Sequence, residues 1–179
     1  MILWTIQHRD AYKKMMETGN LRADEQYSPD IEEFREPYQW MTEQMIKRIG
    51  APPEGVAYPV WAWYQWEGRR KRPDMRTHGR GCGEKGTPIT LLTIGVPEKH
   101  ILLSDFDYWH FVLNDIPLRF SKDGKIENCF ETEKLKSWEK IFDITYRIEG
   151  DEDTPMSTQA VLWEIKKEWL IKAENFITR

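Results

Sequence analysis

The chain has 179 residues, of which 40% are apolar and 31% are charged. Its length predicts a single domain over residues 1–179, and its apolar fraction excludes an intrinsically disordered protein. The net charge of −4 excludes nucleic-acid binding by overall charge, so such binding would need a local basic patch.

Hydrophobic periodicity predicts an α+β domain with a mixed or antiparallel sheet and about four helices. In chain order the predicted elements are strand 2–7, helix 9–18, helix 37–49, strand 60–66, strand 89–95, the apolar run 101–103, a helix from the cap Ser104 to Asn114, helix 132–142, strand 159–165 and a short element at 169–176. The acidic segment 24–36 predicts an exposed loop or a short solvated helix, and the acidic segment 149–153 predicts a loop.

Metal binding and secretion both lack a signal in the sequence. The two cysteines lie far apart without a CxxC motif, and the four histidines are scattered, so we predict no metal site and free thiols. No segment is long and apolar enough for a membrane span, and the first residues do not form a signal peptide. We therefore expect a cytoplasmic protein.

A tryptophan-rich strand is the most informative part of the chain. Because side chains alternate along a strand, two faces are predicted: Trp61, Trp63 and Gln65 on one, and Val60, Ala62, Tyr64 and Trp66 on the other. Aromatic residues on both faces indicate either that both faces are covered or that one is a floor on which a planar ligand stacks. We predict that Trp61 and Trp63 bind the ligand.

Six basic residues follow this strand: Arg69, Arg70, Lys71, Arg72, Arg76 and Arg80. A guanidinium group pairs two phosphate oxygens at once, so we predict phosphate binding by Arg72 and Arg76. The alternative is a solubilising loop whose arginines pair with the two acidic segments. The glycines between residues 79 and 86 do not have phosphate-loop spacing and predict a flexible turn.

The segment 104–110 holds a second cluster of polar and aromatic residues. On a helix, Asp105 lies one turn from Trp109, and Asp107 lies one turn from His110. A histidine beside a carboxylate can carry a proton, so Asp105 and His110 are catalytic candidates and Trp109 is a ligand-binding candidate. The alternative is an aspartate that caps the helix and a histidine that packs against it.

Five motifs together carry a family resemblance: Trp4-Thr5-Ile6-Gln7, Trp61-Ala62-Trp63, Arg72-Pro73-Asp74-Met75-Arg76, Leu103 to His110, and Gln159 to Trp163. Over nearly its whole length the chain resembles a family of small bacterial proteins known as domain of unknown function 3841. This resemblance implies no particular activity.

A more distant likeness is to ADP-ribosyltransferase-type folds, through Gly19-Asn20-Leu21 and the strand 159–165. This likeness implies NAD as the ligand, a nicotinamide site near Gln7 and His8, a ligand-binding role for Gln159 and a catalytic role for Glu164. The chain departs from such enzymes in one respect: Ala160 and Val161 follow Gln159, where those enzymes carry a glutamate two residues on.

These residues lead to three hypotheses. The first is a nucleotide-handling domain, in the form of an ADP-ribosyltransferase-like enzyme that binds a dinucleotide at the tryptophan and arginine site. The second is a non-catalytic module for RNA or single-stranded DNA, and the third is a protein-interaction domain of the toxin–antitoxin type. The expected partner is a phosphate-bearing small molecule or a nucleic acid, without membrane binding.

Overall fold

The computed structural model describes residues 1–24, 26, 30–78, 82–150 and 153–179. The strands are β1 (Ile2–His8), β2 (Asn20–Leu21), β3 (Val60–Gln65), β4 (Pro88–Gly95), β5 (Leu102–Asp105), β6 (Thr158–Leu162), β7 (Ile165–Lys166) and β8 (Leu170–Ile177). The helices are α1 (Arg9–Thr18), α2 (Asp30–Glu33), α3 (Arg35–Ile49), α4 (Met75–His78), α5 (Phe106–Leu113) and α6 (Glu131–Trp138). Short 3-10 turns cover Glu98–His100, Glu139–Phe142 and Lys167–Trp169.

Six strands form one antiparallel sheet in the order β5-β6-β3-β1-β4-β8, and β2 pairs with β7 in a second, two-stranded sheet. Four of the six helices in the described residues, α1, α3, α5 and α6, have eight residues or more. These findings confirm the predicted α+β class, the antiparallel sheet and the number of helices.

Each face of the large sheet has its own hydrophobic core. The face that carries Trp61 and Trp63, called the front face below, packs under α3, α5 and α6 around Met41, Met45 and Val112. The back face packs under α1 and the small sheet. Because β3 and β6 lie in the middle of the sheet with both faces covered, their apolar residues do not show a simple two-residue alternation.

Local signals set several of the element ends. Helix α1 ends at Gly19, whose φ of 90° lies in the left-handed region that glycine adopts without strain. The predicted stripe of α3 is buried at Tyr38, Met41 and Met45. The cap of α5 is Asp105 and not the predicted Ser104, because β5 continues to Asp105, which pairs with Thr158.

Three other predictions about the strands need correction. A register shift between Trp63 and Gln65 interrupts the alternation of β3. The Trp66 ring consequently lies 4.7 Å from the Trp63 ring, on the face where alternation did not place it. The predicted strand 159–165 ends at Leu162 and resumes as β7, and the predicted short element at 169–176 is the full strand β8.

Parts of three predicted loops lie outside the described residues: positions 25 and 27–29 of the first acidic segment, positions 151 and 152 of the second, and Gly79, Arg80 and Gly81 of the glycine-rich turn. Within the described ranges, every helix is too short or too polar to cross a membrane.

Candidate functional site

A row of four side chains crosses the front face of the sheet. Ser104 pairs with Gln159 between β5 and β6, Gln159 pairs with Trp63 between β6 and β3, and Trp63 pairs with Trp4 between β3 and β1. Directly paired residues of antiparallel strands share a face, with their Cβ atoms about 5 Å apart. The polar Ser104 and Gln159 therefore lie beside the Trp63 indole.

Aromatic rings surround Trp63, the third residue of this row. The centroid of the Trp63 ring lies 4.9 Å from the centroid of the Phe106 ring and 4.7 Å from that of the Trp66 ring. The ring of Trp66 in turn packs against the ring of His78, and the ring of Phe106 packs against that of His110. In both pairs the ring centroids are 4.7 Å apart. We call these five residues the aromatic cluster; four are half-buried and His110 is exposed, so ring surface remains accessible at the edge of the core.

The row beneath the aromatic cluster carries unpaired polar atoms. Ser104 is 0% exposed and Gln159 is 6% exposed, yet the Ser104 hydroxyl and the Gln159 amide nitrogen make no hydrogen bond to the described residues. The indole nitrogen of Trp61, on the same face of β3, is also buried and unpaired within the described chain. An unpaired buried polar group costs about 1–3 kcal/mol, so such groups mark a place where a ligand or ordered water would bond.

The geometry assigns the tautomer of both histidines in the cluster. His78 Nδ1 lies 3.0 Å from the Asp74 carbonyl, and His110 Nδ1 lies 2.9 Å from the Phe106 carbonyl. A carbonyl oxygen only accepts, so Nδ1 carries the proton and Nε2 of the neutral ring is a hydrogen-bond acceptor. His78 Nε2 is buried and has no partner among the described residues.

Asp105 lies at the base of the aromatic cluster as a helix cap. Its Oδ1 accepts a hydrogen bond of 2.8 Å from the Tyr108 backbone N–H. Burial raises the pKa of its carboxyl group, and the hydrogen bond from Tyr108 opposes this effect in part. The capping alternative therefore accounts for Asp105, and the ring nitrogen of His110 bonds to the backbone of its own helix.

One arginine lies directly beside the aromatic cluster. Trp66 and Arg69 exchange two backbone hydrogen bonds of 2.9 and 3.1 Å around the turn residues Glu67 and Gly68. Both turn residues have positive φ, 45° and 71°, which is typical of a type I′ turn. Arg69 is exposed, and its guanidinium makes no ion pair with the described residues. The turn therefore presents the exposed Arg69 directly opposite Trp66.

The other arginines of the segment have partners within the chain. Arg72 binds both carboxylate oxygens of Glu174 at 2.9 and 3.2 Å, and this bond lowers the pKa of Glu174. Arg76 binds Asp74 at 2.6 Å and is 82% exposed at its side chain. Arg70 donates to the backbone carbonyls of Ile2 and Tyr64, and its guanidinium lies over the Tyr64 ring.

These ion pairs differ from the alternative prediction that the arginines of a solubilising loop pair with the acidic segments 24–36 and 149–153. The partners of Arg72 and Arg76 are Glu174 on β8 and the nearby Asp74, rather than the acidic segments in the parts that the structure describes. The segment 66–76 is in this way attached to the sheet. Arg76 also lines a surface depression of about 370 Å³ together with Phe176 and Arg179.

Three of the predicted site residues lie at the opposite end of the sheet. The pairing of Trp4 with Trp63 places Gln7 and His8 three and four residues further along β1, roughly 10–13 Å away at 3.3 Å per residue. Gln7 Nε2 donates to Thr5 Oγ1, and His8 Nδ1 accepts from the Asp10 backbone as the cap of α1. Glu164 lies beyond the end of β6, where it binds Arg22 at 3.0 Å.

The structure therefore brings together four of the predicted site residues: Trp63, Gln159, Asp105 and His110. Two more, Trp61 and Trp109, lie beside them and contact each other, with ring centroids 5.1 Å apart. Sequence reasoning missed five residues of this arrangement: Trp66, Arg69, His78, Ser104 and Phe106. The dipeptide Glu67-Gly68 was the available signal for the turn that positions Trp66 and Arg69.

The sequence profile of a protein family described as "Domain of unknown function (DUF3841)" matches residues 2–123. No curated protein and no solved structure matches the chain. The matched residues include the tryptophan strand, its arginines and Ser104, whereas Gln159 lies beyond the match.

Proposed function

The chain belongs to this DUF3841 family, and we propose that it binds a nucleotide whose base lies against Trp63 and Phe106. The observation that carries the proposal is the pair of buried polar groups of Ser104 and Gln159, which are unpaired within the described residues and lie beside the accessible aromatic rings. A heteroaromatic base has both properties that this arrangement requires: flat faces for stacking and an edge of hydrogen-bonding atoms.

Stacking and hydrogen bonding together give this proposal its energetic basis. A base that stacks on an aromatic side chain gains about 1–3 kcal/mol. A base edge that accepts a hydrogen bond from the Gln159 amide nitrogen also removes the cost of leaving that buried nitrogen without a partner in the described residues, so the gain exceeds that of a hydrogen bond exchanged with water. A purely apolar ring would leave Gln159 unpaired and should bind more weakly.

Arg69 is the cation that we assign to the phosphate of the nucleotide. It is exposed, and the two-residue turn holds it beside Trp66. Arg76 was predicted from the sequence for this role, but Asp74 already occupies its guanidinium. Among the arginines of this segment that the structure describes, the Arg69 guanidinium alone has no partner in the described residues, and one such cation suits a mononucleotide or dinucleotide better than a long nucleic acid.

The proposal concerns binding and assigns no reaction. NAD enters as a ligand to be tested, because the likeness to ADP-ribosyltransferase-type folds implies it. Of the residues that this likeness implies, Gln7, His8 and Glu164 lie away from the aromatic cluster, whereas Gln159 is paired with Trp63.

A thermal-shift panel tests the proposal. The full chain is heated with the common mononucleotides, NAD, free nucleosides and inorganic phosphate, and the melting temperature is compared. We expect a rise with at least one nucleotide and its loss in Trp63→Ala. Phe130→Ala, which removes an 82% exposed ring that is not part of the cluster, should keep the rise. The proposal fails if no nucleotide raises the melting temperature, or if Trp63→Ala responds like the unaltered chain.

A further inference from the structure

Strand β8 is one edge of the large sheet, and among the described residues its outer side has no strand partner. The opposite edge strand, β5, packs against the turn Glu139–Phe142. Strand β8 pairs with β4 on one side, and no strand in the described residues pairs with the other. An open edge of eight residues presents unpaired backbone groups and is a template for another strand.

Hydrogen bonds at the end of β8 show which of its backbone groups point outward. The Thr178 N–H donates to the Thr87 carbonyl, and the Thr178 carbonyl accepts from the Gly86 N–H. The backbone groups of Thr178 thus face β4. Pairing with β4 is uninterrupted from Ile177 to Lys172, so alternation turns the N–H and C=O groups of Ala173, Asn175 and Ile177 outward.

The side chains of β8 are complementary to those of a second, antiparallel β8. If two copies meet with Ala173 opposite Ala173, their outward N–H and C=O groups bond to each other. Lys172 of each copy then stands opposite Glu174 of the second copy, and both residues lie on one face of the strand. Two Lys172–Glu174 pairs across the interface follow from the two-fold symmetry, in addition to the bonds that Glu174 makes to Arg72 and Lys172 of its own chain.

We infer that β8 is a homodimer interface, at which two copies of the chain join their six-stranded sheets into one continuous sheet. The exposed side chains of Ile171 and Ile177 flank the central pairing and lose contact with water there. This interface lies on the opposite edge of the sheet from β5, so the inference is independent of the proposed nucleotide site.

Analytical ultracentrifugation of the full chain tests the interface. The unaltered chain should sediment as a concentration-dependent dimer. Ala173→Pro removes an outward N–H and leaves the bonds to β4 intact, so it should sediment as a folded monomer, with folding checked by circular dichroism. A monomeric unaltered chain at all concentrations, or a dimer that Ala173→Pro leaves unchanged, would overturn the inference.

A charge exchange provides a second test that does not depend on proline. Lys172→Glu alone places Glu against Glu174 of the second copy, and Glu174→Lys alone places Lys against Lys172, so each variant should be monomeric. Mixed together, the two variants should form a heterodimer because each charge again meets its opposite. The inference is wrong if the single variants still dimerise, or if the mixture of the two remains monomeric.

Discussion

Ser104 and Gln159 stand directly opposite each other on β5 and β6, and neither the hydroxyl of the one nor the amide nitrogen of the other makes a hydrogen bond within the described chain. Two buried polar neighbours on one face could satisfy each other, and here they do not. The fold thus retains polar groups beside accessible aromatic rings at a cost in stability. We propose that the protein retains this loss of stability because the two polar groups bond to a ligand.

Replacing Ser104 with alanine should leave the free energy of unfolding unchanged or raise it by up to about 1 kcal/mol, because an unpaired buried hydroxyl is removed. Ser137→Ala is the matched control. The Ser137 hydroxyl accepts from the Leu118 N–H at 2.9 Å and donates to the Lys134 carbonyl at 2.7 Å, so its loss should cost about 1–2 kcal/mol. Urea unfolding measures both, and equal losses would show that Ser104 is bonded.

Alanine variants should distinguish the role of Arg69 in binding from that of Arg76. Arg69→Ala should weaken nucleotide binding severalfold and reduce its dependence on salt, because it removes an exposed cation that is opposite Trp66 and has no ion pair with the described residues. Arg76→Ala should leave the affinity within about twofold, since Asp74 already neutralises this guanidinium. Titration at low and high salt measures the difference. An effect confined to Arg76→Ala would instead support the phosphate role predicted from the sequence.

The carboxyl group of Asp105 should make stability depend on pH. Its pKa in the folded protein lies above the ordinary 3.8, so its contribution is complete below that value and is lost as the pH rises through the raised pKa. Asparagine keeps a cap acceptor without this ionisation. The free energy of unfolding of Asp105→Asn, relative to the unaltered chain, should therefore increase between about pH 4 and pH 7. Urea titrations at both pH values would refute this if the difference stayed constant.

The turn that presents Arg69 contains a residue in a costly conformation. Glu67 has φ 45°, and asparagine adopts this conformation more readily, so Glu67→Asn should raise stability by about 0.5–1 kcal/mol. Gly68→Ala should lower stability: among the described residues the new Cβ would meet Pro155 at 3.8 Å, an ordinary contact, but φ 71° strains an alanine. Thermal unfolding measures both variants, and a stabilising Gly68→Ala would rule out the type I′ turn.

The sequence allowed the fold class and most elements to be predicted because they rest on local signals. The stripe of α3 and the glycine after α1 are both visible within one short window. The cap of α5 was displaced by one residue because β5 extends to pair with β6, a partner more than 50 residues away in the chain.

The candidate site was predicted only in part, because it depends on register and on unpaired atoms. The bulge in β3 brings Trp66 to the ring of Trp63, and no pattern in the tryptophan strand indicates that shift. Ser104 carried only a capping signal, since its pairing with Gln159 requires knowledge of the strand order. The ion pair between Arg72 and Glu174 likewise joins residues that only the sheet brings together.

Calorimetric titration of Gln159→Met with the nucleotide that most raises the melting temperature tests the central claim most directly. The account predicts a loss of affinity of about tenfold or more, with little change in folding stability, because the variant removes an amide nitrogen that is unpaired within the described residues and keeps the volume. Gln7→Met, which alters an amide on the back face that already bonds to Thr5, should bind normally. Unchanged affinity in Gln159→Met, or a loss confined to Gln7→Met, would contradict the account.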